Sequence, residues 1–153
     1  MSGFESLMWE LERDPRLSSA FANLTILDRP PDRARLRERM VSASQAVPRL
    51  RQRVREPKVP WEAPLWVEDP DFDIDHHLRW VHLGGAGDRR ALYDLAATLM
   101  RQPFDRERPL WEFVTVGNAP ASAPHDHRRR GGYQALGRVP RLRRWWRDSQ
   151  TCL

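Results

Sequence analysis

Apolar positions in the first 116 residues alternate between helical and strand-like spacing. A helical pattern near the N-terminus predicts a short helix that ends near Asp14 and Pro15. Residues 21–27 are rich in strand-forming side chains and are soon followed by two prolines, so they predict a short strand. A second helix is predicted from Asp32, a suitable N-cap, to Pro48, because its apolar side chains share one face.

Residues 49–71 mix basic, proline and aromatic positions without one clear period. Residues 49–55 are basic and only ambiguously strand-like. Residues 56–71 contain four prolines, with Trp61 and Trp66 between them. Flexible linkers rarely carry tryptophan, so we expect an ordered aromatic loop here.

The next stretch has a strand–helix–strand pattern. Alternation of apolar and acidic residues predicts a strand over 72–83. The glycine-rich residues 84–87 predict a turn, since they lack both the Lys-Ser/Thr pair of a P-loop and the GxGxxG spacing. Helical spacing then predicts a helix that Asp88 can cap and Pro103 closes, and residues 111–116 predict a final strand.

The pattern changes at Gly117. Residues 117–153 have no sustained helical or strand period and are dominated by Ala, Pro, Gly and Arg. We therefore divide the chain into an α/β part, residues 1–116, and an irregular or disordered basic tail, residues 117–153. The tail segment Arg141–Arg147 is basic and aromatic, a combination suited to an anionic membrane or to single-stranded nucleic acid.

Charge follows the same division. The chain has a formal net charge of +5 and a sequence pI near 10.5. Residues 117–153 hold eight Arg and two Asp, a net charge of +6, which leaves −1 on residues 1–116. The basic pI therefore describes the tail and gives no reason to expect nucleic acid at the α/β part. Only one of the 26 basic residues is Lys, a bias that indicates a GC-rich gene.

Simple counts exclude several kinds of site. The single cysteine, Cys152, excludes an internal disulfide and a cysteine-based zinc site. His125 and His127, with one Asp between them, are too few ligands for a closed site, so no metal is expected. No apolar run reaches the ~18 residues of a membrane helix, and the first residues lack the layout of a signal peptide. The sequence predicts a cytoplasmic chain.

Five stretches in one order resemble the N-terminal part of an enzyme family, over about residues 3–116. They are Leu7–Glu12, Ala46–Arg53, Trp66–Asp73, His77 and Pro103–Glu112. Together they are similar to the bacterial wax ester synthase/diacylglycerol acyltransferase family. Pro109, Leu110 and Trp111 match the PLW motif of that family, to which the resemblance assigns a structural role.

The resemblance implies a fold and an activity. Members transfer a fatty acyl group from acyl-CoA, a co-substrate rather than a cofactor, to diacylglycerol or a long-chain alcohol in triacylglycerol or wax ester synthesis. Their fold is the two-domain α/β (α+β) architecture of CoA-dependent acyltransferases, like chloramphenicol acetyltransferase, and this chain would hold part of the first domain. Peripheral contact with a membrane or lipid-droplet surface is expected, and no nucleic-acid partner. Trp61 and Trp66 are expected to pack within their loop, with the lining of an acyl channel as the alternative.

The catalytic motif of that family is missing. In relatives, His-His-x-x-x-Asp-Gly follows the PLW strand, and its second His is the general base that takes the proton of the acceptor hydroxyl. The His pair here, His76-His77, precedes the PLW motif, and Val81 and His82 occupy the Asp-Gly positions. We interpret His77 as structural and assign no catalytic residue to this chain.

The tail offers an explanation for this loss. Codons for residues 123–130 can be chosen so that a reading one base later gives His-His-Thr-Ile-Thr-Asp-Gly, the missing motif. We therefore interpret residues 117–153 as an out-of-frame translation and residues 1–116 as a truncated, inactive member of the family.

Two other interpretations stay open at this point. One is a small basic protein that binds membranes or nucleic acid through its Arg/Trp tail, with residues 1–116 as a scaffold. The other is a truncated chain that pairs with a full-length relative, which no residue pattern favours.

Overall fold

Six strands and four α-helices make up the described part of the chain. The computed structural model describes residues 1–59, 61–83, 89–117 and 133–140. The helices are α1 (Gly3–Leu11), α2 (Arg33–Ala46), α3 (Ile74–His77) and α4 (Arg89–Arg101), with 3₁₀ turns at Pro15–Leu17 and Pro48–Arg51. The strands are β1 (Ala20–Leu27), β2 (Gln52–Arg55), β3 (Leu65–Glu68), β4 (Leu78–His82), β5 (Glu112–Gly117) and β6 (Tyr133–Pro140).

The strands form a four-stranded mixed sheet and a separate two-stranded sheet. The larger sheet has the order β1-β6-β5-β4, in which β4 and β5 are parallel and the other neighbours are antiparallel. Because parallel neighbours need a long connection, α4 crosses over between β4 and β5. The smaller sheet is the antiparallel pair of β2 and β3.

Local sequence signals account for the helix starts. Ser2 and Glu5 form a capping box at α1, in which each side chain accepts the backbone N–H of the other. Asp32 caps α2 as predicted, accepting the N–H of Arg35 at 2.8 Å. The helices predicted for α1, α2 and α4 are thus confirmed. The predicted turn and cap over residues 84–88 lie outside the described residues.

The strand predicted over 72–83 is wrong for its first half. Residues Ile74–His77 form α3, and only Leu78–His82 is a strand. The cause is Asp73, whose carboxylate accepts the N–H of Asp75 at 3.0 Å and caps the helical turn. Alternation of Asp with apolar residues imitates a strand period, but Asp is also a preferred cap residue.

The segment that was expected to be an aromatic loop is partly regular. Residues 52–55 form β2, and Leu65–Glu68, inside the predicted loop, form β3. Val54 lies directly opposite Trp66 in this pair. The loop prediction over 56–71 is therefore wrong for β3, because the prolines lie outside the paired residues and leave the ladder intact.

The expected irregular tail differs from the structure at residues 133–140. These residues form β6, which lies between β1 and β5 and pairs with both. The two neighbouring strands offer partners for its backbone groups, and the buried Leu136 packs against β5 and α4. Burial of Leu136 and hydrogen bonding to a strand on each side thus stabilise β6, although the sequence of this segment has only a weak strand period. Apart from Gly117 at the end of β5, the rest of the tail, with His125, His127 and Arg141–Arg147, lies outside the described residues.

Three apolar clusters form the core of the described part. The largest joins α4, β5 and β6 through Leu92, Leu99, Val114, Val116 and Leu136. A second joins α1 to the hairpin of β2 and β3 through Trp9, Val54 and Leu110. The third contains Leu50, Ile74 and Trp111. Leu110 and Trp111 are neighbours in sequence but belong to different clusters, so this short segment ties two parts of the core together.

Candidate functional site

The segment Pro109–Trp111 lies immediately before β5 and is held on both sides by buried contacts. The indole Nε1–H of Trp111 donates to the carbonyl oxygen of Leu50 at 2.8 Å. The carbonyl oxygen of Trp111 lies 2.8 Å from Nδ1 of His77. A carbonyl oxygen can only accept, so Nδ1 carries the proton and donates. Trp111 therefore forms hydrogen bonds to both the 3₁₀ turn before β2 and the end of α3.

His77 stacks with two aromatic rings. Its imidazole and the Trp111 ring have centroids 4.4 Å apart and planes 11° apart. Its imidazole and the Phe72 ring have centroids 5.5 Å apart and planes 20° apart. The guanidinium carbon of Arg51 lies 4.5 Å from the centroid of the Phe72 ring, so a cation also contacts this group of rings.

The surroundings of His77 favour its neutral form. Burial lowers the pKa of His77, and its hydrogen bond to Trp111 opposes that effect. The charges of His76 and Arg108 lower the pKa further, whereas Asp69 raises it. The side chain is only 2% exposed, and Nε2 has no hydrogen-bond partner among the described residues. Protonation of Nε2 would place an unpaired charge in the core.

This geometry suits a structural His rather than a general base. Nδ1 is occupied by the Trp111 carbonyl, and Nε2 is covered by protein, so neither nitrogen meets an acceptor hydroxyl. The structural role predicted for Pro109, Leu110 and Trp111 stays a prediction, and the contacts of Trp111 support it.

A cavity of about 110 Å³ lies beside this segment. Its charged lining is mixed, because Arg79 forms an ion pair with Glu112 and Arg138 approaches Glu112 at 3.8 Å. A larger hollow of about 510 Å³ lies on α2 and shares no lining residue with it. A site for a drug-sized ligand typically has about 300–1,000 Å³ and an apolar lining. The cavity beside Trp111 is therefore too small for acyl-CoA.

Two arginines of the stretch Pro103–Glu112 contact elements that are distant in sequence. The sequence pattern did not predict these contacts. Arg106 lies over the Trp9 ring, with its guanidinium carbon 3.4 Å from the centroid, and pairs with Glu56 at 3.0 Å. Arg108 donates to the carbonyl oxygen of Asp71 at 3.1 Å. The available signal was the cluster of charged residues in this stretch, which holds Arg106 and Arg108 together with three acidic residues.

Other kinds of site find no support in the described part of the chain. Residues 1–59, 61–83, 89–117 and 133–140 contain no group of three or more His, Cys, Asp or Glu side chains placed to hold a metal ion. None of the helices within these ranges is both long and apolar enough to cross a bilayer.

Comparison with known sequences identifies proteins that are similar to this chain. Residues 1–118 match the family model described as "Wax ester synthase/diacylglycerol acyltransferase catalytic domain". A putative diacylglycerol O-acyltransferase of Mycobacterium tuberculosis is 45% identical over 110 residues, 72% of this chain and 22% of the relative. A probable diacylglycerol O-acyltransferase of the same species is 35% identical over 104 residues, again 22% of the relative.

Solved structures are similar in fold. A wax ester synthase/diacylglycerol acyltransferase from Marinobacter aquaeolei VT8 has a TM-score of 0.67 at 22% identity, covering 92% of this chain and 33% of that one. A mutant starter condensation domain of rhizomide synthetase, solved in complex with C8-CoA, has a TM-score of 0.67 at 14% identity, covering 92% and 30%. The mixed α/β fold expected from the sequence is thus confirmed as part of that architecture.

Proposed function

The chain belongs to the wax ester synthase/diacylglycerol acyltransferase family, and from this premise we propose that it represents the N-terminal part of an acyl-CoA-dependent O-acyltransferase. The complete enzyme would transfer a fatty acyl group from acyl-CoA to diacylglycerol or a long-chain alcohol. The hydroxyl oxygen attacks the thioester carbon, the C–S bond breaks, and the hydroxyl proton passes to a general base and then to the CoA thiolate.

The match over residues 1–118, which includes the segment around Trp111, carries this proposal. The chain spans only 22% of the length of the mycobacterial relatives, so their activity is a proposal for this chain. Binding of acyl-CoA by the complete enzyme is supported by the fold shared with a domain solved in complex with C8-CoA.

We further propose that these 153 residues do not catalyse the transfer. They contain no His-His-x-x-x-Asp-Gly sequence, and the His pair that they do contain ends in a buried, neutral imidazole. A base that no substrate reaches cannot take a proton. The cavity beside Trp111 is also too small for acyl-CoA.

A direct assay tests the absence of activity. The purified chain is incubated with acyl-CoA plus diacylglycerol or hexadecanol, and ester formation is compared with a preparation from empty vector. We expect no ester above that background. Turnover above it would contradict the proposal.

The out-of-frame origin of residues 117–153 is a separate proposal with its own test. The nucleotide sequence through codons 114–140 and beyond should contain an open frame one base over that encodes the motif and a longer acyltransferase. Correcting the frame by one base should then produce a chain with measurable ester formation, and an otherwise identical gene with the base change moved downstream of the stop codon should not. A shifted reading frame that meets a stop codon within a few codons would contradict this origin.

A further inference from the structure

The centre of the larger sheet is completed by a segment that lies outside the match to the family model. β6 pairs with β1 on one side and with β5 on the other, so β1 and β5 do not pair with each other. The family model covers residues 1–118, whereas β6 begins at Tyr133. The matched part therefore leaves a gap one strand wide between β1 and β5, with α4 packed across one face of it. We call this gap the acceptor groove.

The acceptor groove offers backbone groups along both of its sides. Ala20–Leu27 of β1 lies opposite the whole of β6 in antiparallel register, and Glu112–Val116 of β5 lies opposite Gln134–Arg138. An extended segment in this gap gains backbone hydrogen bonds on two sides, whatever its side chains are. Pockets for individual side chains must therefore supply the selectivity of the groove.

One pocket of the groove takes an apolar side chain. Leu136 is 2% exposed and packs in the cluster that contains Leu92 and Leu99 of α4 and Val114 and Val116 of β5. These four neighbours all lie within the match to the family model, whereas Leu136 does not.

A second pocket takes a guanidinium group. Arg138 lies two residues after Leu136 on the same face of β6 and is only 3% exposed. Its Nη1 and Nη2 donate to the carbonyl oxygens of Leu99 and Gln102, at the C-terminal end of α4. The last carbonyl groups of a helix lack donors in a following turn and form the negative end of the helix dipole, so they suit a cation.

An aromatic ring and a carboxylate complete this arginine pocket. The guanidinium carbon of Arg138 lies 4.0 Å from the centroid of the Phe104 ring, and Nη1 lies 3.8 Å from the carboxylate of Glu112. A planar guanidinium group can lie over a ring while it donates in its own plane, which an ammonium group cannot do. The carbonyls, the ring and the carboxylate belong to the matched part of the chain, and the arginine does not. The pocket and its occupant thus come from different parts of the chain.

We propose that the acceptor groove is a binding site for an extended polypeptide segment with leucine and arginine two residues apart, and that β6 occupies it as an intramolecular ligand. A segment of another chain with the same spacing binds there when β6 is displaced. Residues 118–132 join β5 to β6, although antiparallel neighbours can be joined by a hairpin of about two residues. A tight turn therefore does not enforce the pairing of β6 with β5.

Peptide binding to the full chain tests the proposal. Gly137→Pro removes a backbone N–H from the middle of β6 and should keep β6 out of the groove. A fluorescent peptide with the sequence of residues 131–142 should then bind this variant saturably and raise its unfolding temperature as the peptide concentration rises. Fluorescence anisotropy measures the binding, and circular dichroism checks that the variant is folded.

Altered peptides test the arginine pocket. A peptide with Arg138→Gln should bind about tenfold more weakly, because the groups around the pocket lose their cation. A peptide in which Arg138 and Val139 exchange places keeps the composition and the charge, so it is the matched control for spacing. It should bind as weakly as the glutamine peptide.

A disulfide trap examines the chain with its own β6 intact. Thr115 lies directly opposite Ala135, so a Thr115→Cys chain should form a disulfide with a peptide that carries Ala135→Cys. Cys152→Ser in the chain removes the native thiol. The peptide is needed at roughly millimolar concentration, because it competes with a tethered segment. A peptide with Gly137→Cys places its thiol opposite Phe113 and should not react.

The outcomes separate a selective groove from an unspecific one. Equal binding of the parent, glutamine and exchanged peptides would overturn the proposal, since the pockets would then not select the occupant. If Gly137→Pro unfolds the chain, the disulfide trap decides, and equal reaction of the two cysteine peptides, or reaction of neither, would overturn the proposal. No measurement here involves acyl transfer, so the result is independent of the proposed function.

Discussion

His77 illustrates how much a single residue can constrain this fold without taking part in chemistry. Its imidazole stacks with Phe72 and Trp111, donates to the Trp111 carbonyl and leaves Nε2 buried. Burial favours the neutral ring and outweighs the hydrogen bond to Trp111, which favours the protonated one. A His in such a setting therefore contributes most to stability while it is unprotonated.

This setting predicts a pH dependence of stability. Burial lowers the pKa of His77 in the folded state, so the unfolded state binds the proton more readily. The contribution is complete above the unfolded pKa of about 6.5, declines as pH falls below it and levels off below the folded pKa. The slope between the two values approaches about 1.4 kcal/mol per pH unit.

Denaturant unfolding at several pH values measures this effect. His77→Asn keeps an N–H donor near the Nδ1 position but cannot be protonated, so its stability should fall less between pH 7.5 and 5.5 than that of the parent chain. All other ionisable side chains are common to both proteins, so the difference between the two pH profiles reports the loss of His77. An identical pH profile for parent and variant would mean that His77 is not the group responsible.

A second prediction at this scale concerns Trp111. Trp111→Phe leaves the Leu50 carbonyl without its donor and should lower the free energy of unfolding by about 1–3 kcal/mol. Trp111→Ala also opens a cavity in the third cluster and should cost about 3–5 kcal/mol. Trp61→Phe, on the solvent side of the hairpin, is the control and should stay within about 0.5 kcal/mol of the parent chain. Equal losses at both positions would contradict the role given to Trp111.

The elements that the sequence predicted best are those with strong local signals. The amphipathic spacing of α4 and the cap of α2 by Asp32 lie within a few residues of sequence, so periodicity and capping rules identify them. By contrast, the alternation of Asp with apolar residues predicted a strand where Asp73 in fact caps α3. The segment of β6 was predicted to be irregular because its strand conformation depends on pairing with β1 and β5 rather than on a local pattern. Around Trp111, the motif was identified by resemblance, but its contacts with Leu50 and His77 join residues far apart in sequence and have no local signature.

The position of β6 gives a prediction for that element. Leu136 is buried against β5 and α4, so Leu136→Ala should lower the free energy of unfolding by about 2–5 kcal/mol. Leu65→Ala removes the same atoms from an exposed strand position and should cost much less. Urea unfolding followed by circular dichroism compares the two. Similar small losses would mean that β6 does not occupy the centre of the sheet.

At the scale of the whole molecule, the edges of the larger sheet decide solution behaviour. Among the described residues β1 and β4 have a neighbour on one side only. The eight residues of β1 carry no charge, and Ile26 within it is 66% exposed. Natural sheets usually protect such an edge with lysine, proline or a bulge.

This edge predicts marginal stability or self-association of the purified chain. Light scattering should increase with protein concentration, and Ile26→Lys should reduce it by placing a charge on the edge. Ser42→Lys on α2 is a control that adds the same charge on a helix. A monodisperse monomer with a sharp thermal transition would contradict the prediction, as would equal effects of the two lysines.

The two bonds of Trp111 also have a consequence for the order of events during folding. Its indole reaches back 61 residues to Leu50, and its carbonyl reaches back 34 residues to His77. Contacts of such sequence separation slow folding, because a long loop must close before they contribute. A nascent chain on the ribosome therefore cannot complete its third cluster until residue 111 has left the exit tunnel, and until then Leu50 and Ile74 stay accessible to chaperones and proteases.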